Sequence, residues 1–497
     1  MAEAGKDDSA RKTLTWVGLF LGELRDGLTM INMQSAFLIA SKRYTEKQAG
    51  ALFFVFGISQ FLFQTPAGYI MDYSDKKVHL LAFAAIATTT LTVITAMTAE
   101  ENGANLGWMI FIKFLQGAVT ALIPCGLNSI TQGIVGTVGM TQQVSRNEMM
   151  NHLGTAIIVF TGSFIAYNQY PDIGTLFIVS PISCIGVVYF LSRIKPDDID
   201  HDAARGLVIE SKPTDVAQSG GVDSQGGLNQ PAAVNKTTPS FNFGFSAPTK
   251  DDSSATASQE ALRADTPLQV MRDPILLTFT LICFLFHAAN GCILPLVMQS
   301  LALEGGRSGI LLSGFCIIVA QTFMVGTAKI CGEKSALYGR KILFLIGFFS
   351  VPLRCLILTG LLYLRDLNGS SLFLQIVILS TQVLDGIGAG AFGTMYILVT
   401  SDISGGTGRF SLALGITTAA MSIGGTVSGY LGETLAEDLG YREAFMILGL
   451  MALVPALLYL FCMPETLPAY NTPGANAQPD MTKINEDEEG TNYVELT

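Results

Sequence analysis

Hydrophobic residues in this chain come in long runs separated by short polar turns. Each run is near the ~20 residues that an α-helix needs to cross a hydrocarbon core. Twelve such runs are present. In the first half they lie near 13–40, 48–72, 78–98, 108–136, 149–168 and 173–194. In the second half they lie near 272–301, 309–331, 342–364, 372–400, 410–435 and 443–463. Several are rich in Gly, Ala, Ser and Thr, which suits close helix contact inside a bundle. The pattern predicts an all-α membrane protein with twelve transmembrane helices.

The two sets of six repeat each other. The turn at Gly68–Lys77 has a second copy at Gly332–Lys341, 264 residues on. Gly27 and Gly291 share that separation, and Lys113-Phe-Leu-Gln116-Gly117 matches Gln382-Val-Leu-Asp385-Gly386 at an offset of 269. A repeat with constant helix count indicates two pseudo-symmetric six-helix bundles, here 13–194 and 272–463. Residues 1–12 form a polar N-terminal segment. The stretch 195–271, rich in Ser, Thr, Gly, Asp and Pro, reads as a disordered linker, and 464–497 as an acidic tail.

Composition agrees with this class: 49% of residues are hydrophobic and 14% charged, with mean hydropathy +0.45. The net charge of −11 changes little, because residues 195–273 hold 12 acids against 7 bases and 465–497 hold 7 against 1. The acidity belongs to polar tails and not to a binding face. All eight cysteines lie in or at the ends of apolar runs without CxxC spacing, so no disulfide framework, metal site or cofactor is expected. The first helix reads as retained, since no cleavage site follows a short apolar region. Lys and Arg concentrate on one side (Arg11, Lys12, Lys76, Lys77, Arg146, Arg193, Arg340, Lys341, Arg409), which predicts that both termini and the linker are cytoplasmic. Lys42, Arg43 and Lys47 are the exception. Asn235-Lys236-Thr237 and Asn368-Gly369-Ser370 match the glycosylation pattern, and Tyr493-Val-Glu-Leu496 matches a sorting-adaptor signal.

Gly68, Asp72, Lys76 and Lys77 resemble the loop between helices two and three of the major facilitator superfamily, Gly-x-x-x-Asp-Arg-x-Gly-Arg-Lys. Tyr73 and Asp75 depart from it. In the second copy Gly332, Gly339, Arg340 and Lys341 match, with Ala336 in place of the acid. Lys113, Gln116 and Gly117 are similar to the family's fourth-helix Arg-x-x-Gln-Gly. Strings such as Arg25-Asp26-Gly27, Phe286-His287-x-x-Asn290 and Gly406-Thr-Gly-Arg409-Phe410 look like a bacterial-type branch of that family. The resemblance implies a transporter that cycles by alternating access.

The residues themselves suggest where the chemistry lies. Gly68 allows a neighbouring helix to approach, and Asp72, at a helix end, can accept hydrogen bonds from another helix N-terminus. Lys76 and Lys77 can anchor the loop or pair with acids of the other bundle. Together with Gly332, Gly339, Arg340 and Lys341 these form a candidate cytoplasmic gate. Glu23, Arg25 and Asp26 place three charges in one turn of the first helix, and a charge at mid-bilayer costs about 2.5–3.5 kcal/mol on insertion scales. Glu23 and Asp26 are candidates to carry a coupling proton, as is His287. Arg25, Lys113, Arg354, Asp385 and Asn290 are substrate or charge-pair candidates, with Lys113 placed to counter Glu23 or Asp26 and Arg354 to pair with Asp385. No Walker loop, HExxH or nucleophile elbow is present, so neither ATP-driven transport nor an enzyme is expected, and no nucleic-acid partner. The reading is a proton-coupled carrier of a small metabolite or organic anion in the lipid bilayer. An uncoupled uniporter or a sensor on the same scaffold stay open.

Overall fold

The computed structural model describes residues 2–26, 34, 37–169, 174–207, 264–305 and 307–467. The described residues are helical or in turns throughout. Helix α1 runs Ala2–Asp26, so the residues expected as a polar lead-in are helical and belong to the first element. A π-turn at Phe37–Ser41 follows further along the same segment. Then come α2 (Glu46–Tyr73), α3 (Lys77–Thr98), α4 (106–135), α5 (137–169) and α6 (Gly174–Leu191). The second half has α7 (274–305), α8 (307–338), α9 (340–368), α10 (372–404), α11 (Phe410–Leu439) and α12 (Tyr441–Cys462).

Nine continuous helices among the described residues are long and apolar enough to span a membrane. Two of them each contain two spans. The chain turns at Gly136 (φ 63°) between α4 and α5, and at Gly339 (φ 82°) between α8 and α9. Both dihedrals lie where a side chain is disfavoured, so glycine lets the turn shrink to a single residue. With these turns and the first segment counted, the architecture is consistent with twelve spans.

Local signals set several helix starts. Thr45 and Gln48 form a reciprocal capping box before α2, at 3.2 and 2.9 Å. Asp273 accepts from Leu276 N at 2.8 Å, with Pro274 in the first turn of α7. The second half is built on an aromatic core of Phe279, Phe286, Phe344, Phe348, Phe392 and Tyr459, with Phe286 stacked on Phe392 at 4.4 Å. The first half packs Leu14, Leu21, Leu81, Ile123 and Val187 together. There threonines supply polar contacts between helices, as Thr88–Thr120 at 3.3 Å.

Glycines bring the halves together along two seams. On the α2–α11 seam a methyl at Gly68 would meet Ser411 O at 2.1 Å, and one at Gly57 would meet Thr426 Oγ1 at 2.2 Å. On the α5–α8 seam Gly332 faces Ser145 and Gly314 faces Ser163, each at 2.3 Å by the same measure. On α2–α11 the close contacts lie at one end and at mid-helix, and on α5–α8 they lie toward both ends.

The linker reading needs correction at its edges. Residues 196–205 form a turn and the short helix His201–Arg205, and Pro267–Met271 forms another. Ile199, Ala204, Leu207 and Val270 are buried, so these few apolar residues suffice to dock both ends. Asp200 N donates to Gly133 O, and Gly406 N to Gly206 O, at 2.9 and 2.8 Å. The tail is likewise ordered at its start, through Leu467. Asn235, Tyr493 and Leu496 lie outside the described residues.

Candidate functional site

The polar chain that joins the two halves starts on α1. Arg25 donates to both oxygens of Glu148 on α5, at 3.2 and 3.5 Å. One turn along α5, His152 Nε2 lies 3.8 Å from Glu148 Oε2. Its other ring nitrogen, Nδ1, sits 2.7 Å from Gln321 Oε1 on α8, across the seam. Gly393 of α10 faces the same carboxylate, with Glu148 Oε2 3.7 Å from where a methyl would stand. Glu148 is 3% exposed and Arg25 20%, so the guanidinium holds the open side of the pair. Close packing of α1 on α5 sets this geometry: a methyl at Gly22 would meet Asn151 Oδ1 at 2.4 Å, and one at Gly18 would meet Asn147 O at 2.9 Å.

The other expected intramembrane residues fall into separate places. Glu23 is fully buried on α1. The side chain of Asp26 is outside the described residues. Lys113, fully buried, does not take the acids of α1 as its described partners. It donates to Gln34 and to Gln116 (2.7 Å) and lies over the rings of Phe53 and Phe56, at 5.5 and 5.8 Å. Amide oxygens and aromatic faces stabilise an ammonium without a carboxylate. Arg354 and Asp385 do form a buried ion pair at 2.5 Å, with Gln382 accepting from Arg354 at 2.6 Å. His287 bonds the Cys283 carbonyl at 3.1 Å and meets Phe392 at 4.9 Å. Asn290 is half-buried one turn later, and its Oδ1 has no hydrogen-bond partner among the described residues.

The Gly68 turn is hydrogen-bonded to the second half. Asp72, 1% exposed, accepts from Ser411 N and Leu412 N at 2.9 Å each, the first turn of α11. Two backbone donors and the positive end of the helix favour a carboxylate there. Tyr73, a departure from the family pattern, contributes directly: Arg409 donates to its hydroxyl at 2.7 Å and lies 4.6 Å over its ring. Asp75, the other departure, faces Arg205 at 3.7 Å and His201 at 3.9 Å, on the docked end of the linker. The two lysines do not reach acids of the second half among the described residues. Lys77 is buried and donates to Met71 O, while Lys76 is exposed. The buried Lys77 needs a nearby carbonyl more than it needs a distant acid.

In the second copy, Arg340 donates to Asp402 at 3.0 Å and to Ser335 at 2.6 Å, both in its own half, and to Thr141 of α5 at 2.8 Å. Arg340 N and Lys341 N donate to Glu465 at 2.8 and 3.0 Å, so the tail supplies the acid at the start of α9. Ser145 Oγ donates to Ala328 O at 2.7 Å beside Gly332.

Sequence reasoning missed Glu148 and His152. It began the fifth helix at 149, so Glu148 fell outside the membrane segment. The structure starts α5 at 137, because Gly136 makes the turn. A Glu and a His four residues apart on one helix face was the available signal.

A two-half bundle of membrane-spanning helices, with a buried ion cluster on the seam and Asp72 bonded across the halves, has the architecture of a multi-pass membrane transport protein. The family model of the Major Facilitator Superfamily matches residues 15–381 and 335–485, and the chain belongs to that family. An uncharacterised MFS-type transporter of Mycobacterium tuberculosis, present in two strains, is 30% identical over 456 residues, 92% of this chain and 93% of the relative. The proton:xylose symporter XylE bound to 6-bromo-6-deoxy-D-glucose shares the fold. Its TM-score is 0.62 at 14% identity, over 93% of this chain and 97% of that one. A double-tryptophan mutant form of XylE matches equally, covering 96% of its own chain.

Proposed function

We propose that the protein is a proton-coupled secondary carrier of a small organic solute, working by alternating access, with both termini in the cytoplasm. The observation that carries this reading is the Arg25–Glu148–His152–Gln321 chain, which crosses the seam between the halves inside the membrane body. A carboxylate and an imidazole in contact give a proton a place to reside, and their link to α8 ties its presence to the relation of the halves. The coupling role thus moves from Glu23 and Asp26 to Glu148 and His152, with Arg25 kept as partner. The fold neighbour XylE is described as a proton symporter, which supports the coupling class. The contacts of Asp72 and those around Gly332 and Arg340 would form the cytoplasmic gate, on the face richer in Lys and Arg.

The test is reconstitution in vesicles with a polar metabolite mixture, with and without an imposed pH gradient. A solute should accumulate only when the gradient is present. Solute equilibration that ignores the pH gradient would identify a uniporter and remove the coupling.

A further inference from the structure

We propose that the two docked ends of the linker form a strap that, together with the Asp72 bonds, latches the halves at the cytoplasmic face. The joint that parts on opening is Gly206 and Leu207 against the turn between α10 and α11. This extends the alternating-access reading above and rests on it.

The first end, residues 196–207, belongs with the first half. It follows α6, and Asp200 N donates to Gly133 O of α4 at 2.9 Å. Ser129 Oγ of α4 donates to Ala204 O at 3.3 Å. The fit is close: a methyl at Gly133 would meet Ile199 Cγ2 at 2.7 Å and Ala204 Cβ at 3.0 Å. From the turn between α2 and α3, Asp75 faces Arg205 and His201. The second end, residues 264–273, belongs with the second half. It leads into α7, Asp265 N donates to Thr407 O at 2.8 Å, and Arg409 Nε donates to Asp265 O at 2.9 Å. Val270 is buried with Leu276 and Ala413 of the same half.

Both ends meet on one turn, residues 405–409. Gly406 N donates to Gly206 O at 2.8 Å. A methyl at Gly408 would stand 3.0 Å from Leu207 Cδ2 and 2.7 Å from Ala264 Cβ, so this glycine touches both ends. Gly206 (φ 85°), Gly406 (φ 82°) and Gly408 (φ 67°) all take the left-handed conformation, which lets the two backbones approach. Leu207 is 8% exposed at this joint. The contacts decide where the strap parts. Toward the first half, residues 199–205 have backbone bonds on α4, close glycine packing and the charge of Asp75. Toward the second half, Gly206 and Leu207 have one neutral hydrogen bond and the cover over a leucine. On opening, the strap therefore stays on α4 and leaves Gly406 and Gly408. No charge is uncovered there, and Gly206 O and Gly406 N can turn to water. The resistance comes chiefly from the apolar surface of Leu207.

The experiment uses the full chain in nanodiscs with Cys125 as the single cysteine, buried on α4 with Sγ 3.8 Å from Ser411 O. Leu207→Asp should speed maleimide labelling of Cys125 by about 10- to 100-fold, because it sets a charge where a leucine was covered. Leu207→Ala should speed it by about three- to tenfold. The change Leu268→Asp, at an exposed leucine of the other end, should leave the rate within about threefold. Hydrogen exchange read by mass spectrometry should show 405–409 losing protection in Leu207→Asp while 199–204 keep theirs. A Leu207→Asp rate equal to the parent's overturns the strap. Loss of protection at 199–204 as well overturns the joint, since the break then lies on α4. Should Leu207→Asp lose helix content, Leu207→Ala decides, and a rate equal to the parent's again overturns the proposal. Asp72→Asn run alongside separates the two readings. If it also fails to speed labelling, the rocking of the halves at this face fails; if it succeeds and the Leu207 variants do not, the strap alone fails.

Discussion

Replacing Asp72 with Asn is the sharpest perturbation of the latch. It keeps the shape of the side chain and removes its charge. Asp72 holds two backbone donors, Ser411 N and Leu412 N, at 2.9 Å in a site 1% exposed. An amide can keep one acceptor but turns its NH2 toward the second N–H. A hydrogen bond to a charged group contributes about 1.5–3 kcal/mol. Loss of the charge at a helix start costs a further ~0.3–1 kcal/mol. The closed arrangement should therefore weaken by about 2–4 kcal/mol, or roughly 30- to 700-fold in its equilibrium with the open one. A native reporter sits beside the bond: Cys125 is buried, with Sγ 3.8 Å from Ser411 O. In nanodiscs, with Cys125 as the single cysteine, Asp72→Asn should speed maleimide labelling by about that factor at unchanged helix content. Ala336→Ser, at the matching exposed position of the second copy, should leave the rate within about threefold. An Asp72→Asn rate indistinguishable from the parent would refute the latch.

Three further outcomes follow from the same contacts. Gly68→Leu should also expose Cys125, because even a methyl at Gly68 would lie 2.1 Å from Ser411 O, and overpacking of this kind costs about 1–3 kcal/mol. Glu465→Ala should lower thermal stability in detergent by about 0.5–2 kcal/mol, through loss of the acceptor at the start of α9 for Arg340 N and Lys341 N, while Cys125 labelling stays unchanged. Arg354→Ala should cost about 3–5 kcal/mol by leaving Asp385 buried without its partner, and Arg354→Met with Asp385→Leu should recover most of it, read as thermal denaturation.

The span pattern was legible because the bilayer imposes a length on every apolar run, and the duplication was legible because the turns at Gly68 and Gly332 keep their glycines and bases. What stayed hidden depended on partners distant in sequence. Lys113 reads as a countercharge until Gln34, Phe53 and Phe56 are seen around it. Tyr73 and Asp75 read as defects in a family pattern, yet each has a cationic neighbour, Arg409 and Arg205, that no local rule identifies. Glu148 was lost for a different reason. Polar residues such as Gln142, Gln143, Arg146 and Asn147 precede it, so hydropathy alone begins the fifth membrane segment too late. The linker ends were misread because four buried apolar residues carry little weight in a polar composition, although they are enough to dock a short helix.

The two turn motifs look equivalent in sequence but hold different interfaces. Asp72 belongs to the first half and its donors to the second, so its bonds must break when the halves part at that face. Arg409 on Tyr73 crosses the same boundary. In the second copy the ionic contacts stay within one half: Arg340 pairs with Asp402, and the starts of α9 and the tail meet at Glu465. What crosses from that copy is one charge-assisted bond, Arg340 to the Thr141 hydroxyl, and one neutral bond, Ser145 to the Ala328 carbonyl. A bond to a charged group contributes about 1.5–3 kcal/mol and a neutral one about 0.5–1.5 kcal/mol. Among the described contacts, rocking therefore meets more electrostatic resistance on the α2–α11 side, where Asp72 and Arg409 make three charge-assisted bonds, than on α5–α8, which has the one from Arg340 and carries His152 and Gln321. In the proposed cycle, a proton at His152 would act on the seam with fewer charge-assisted bonds, through its contact with Gln321.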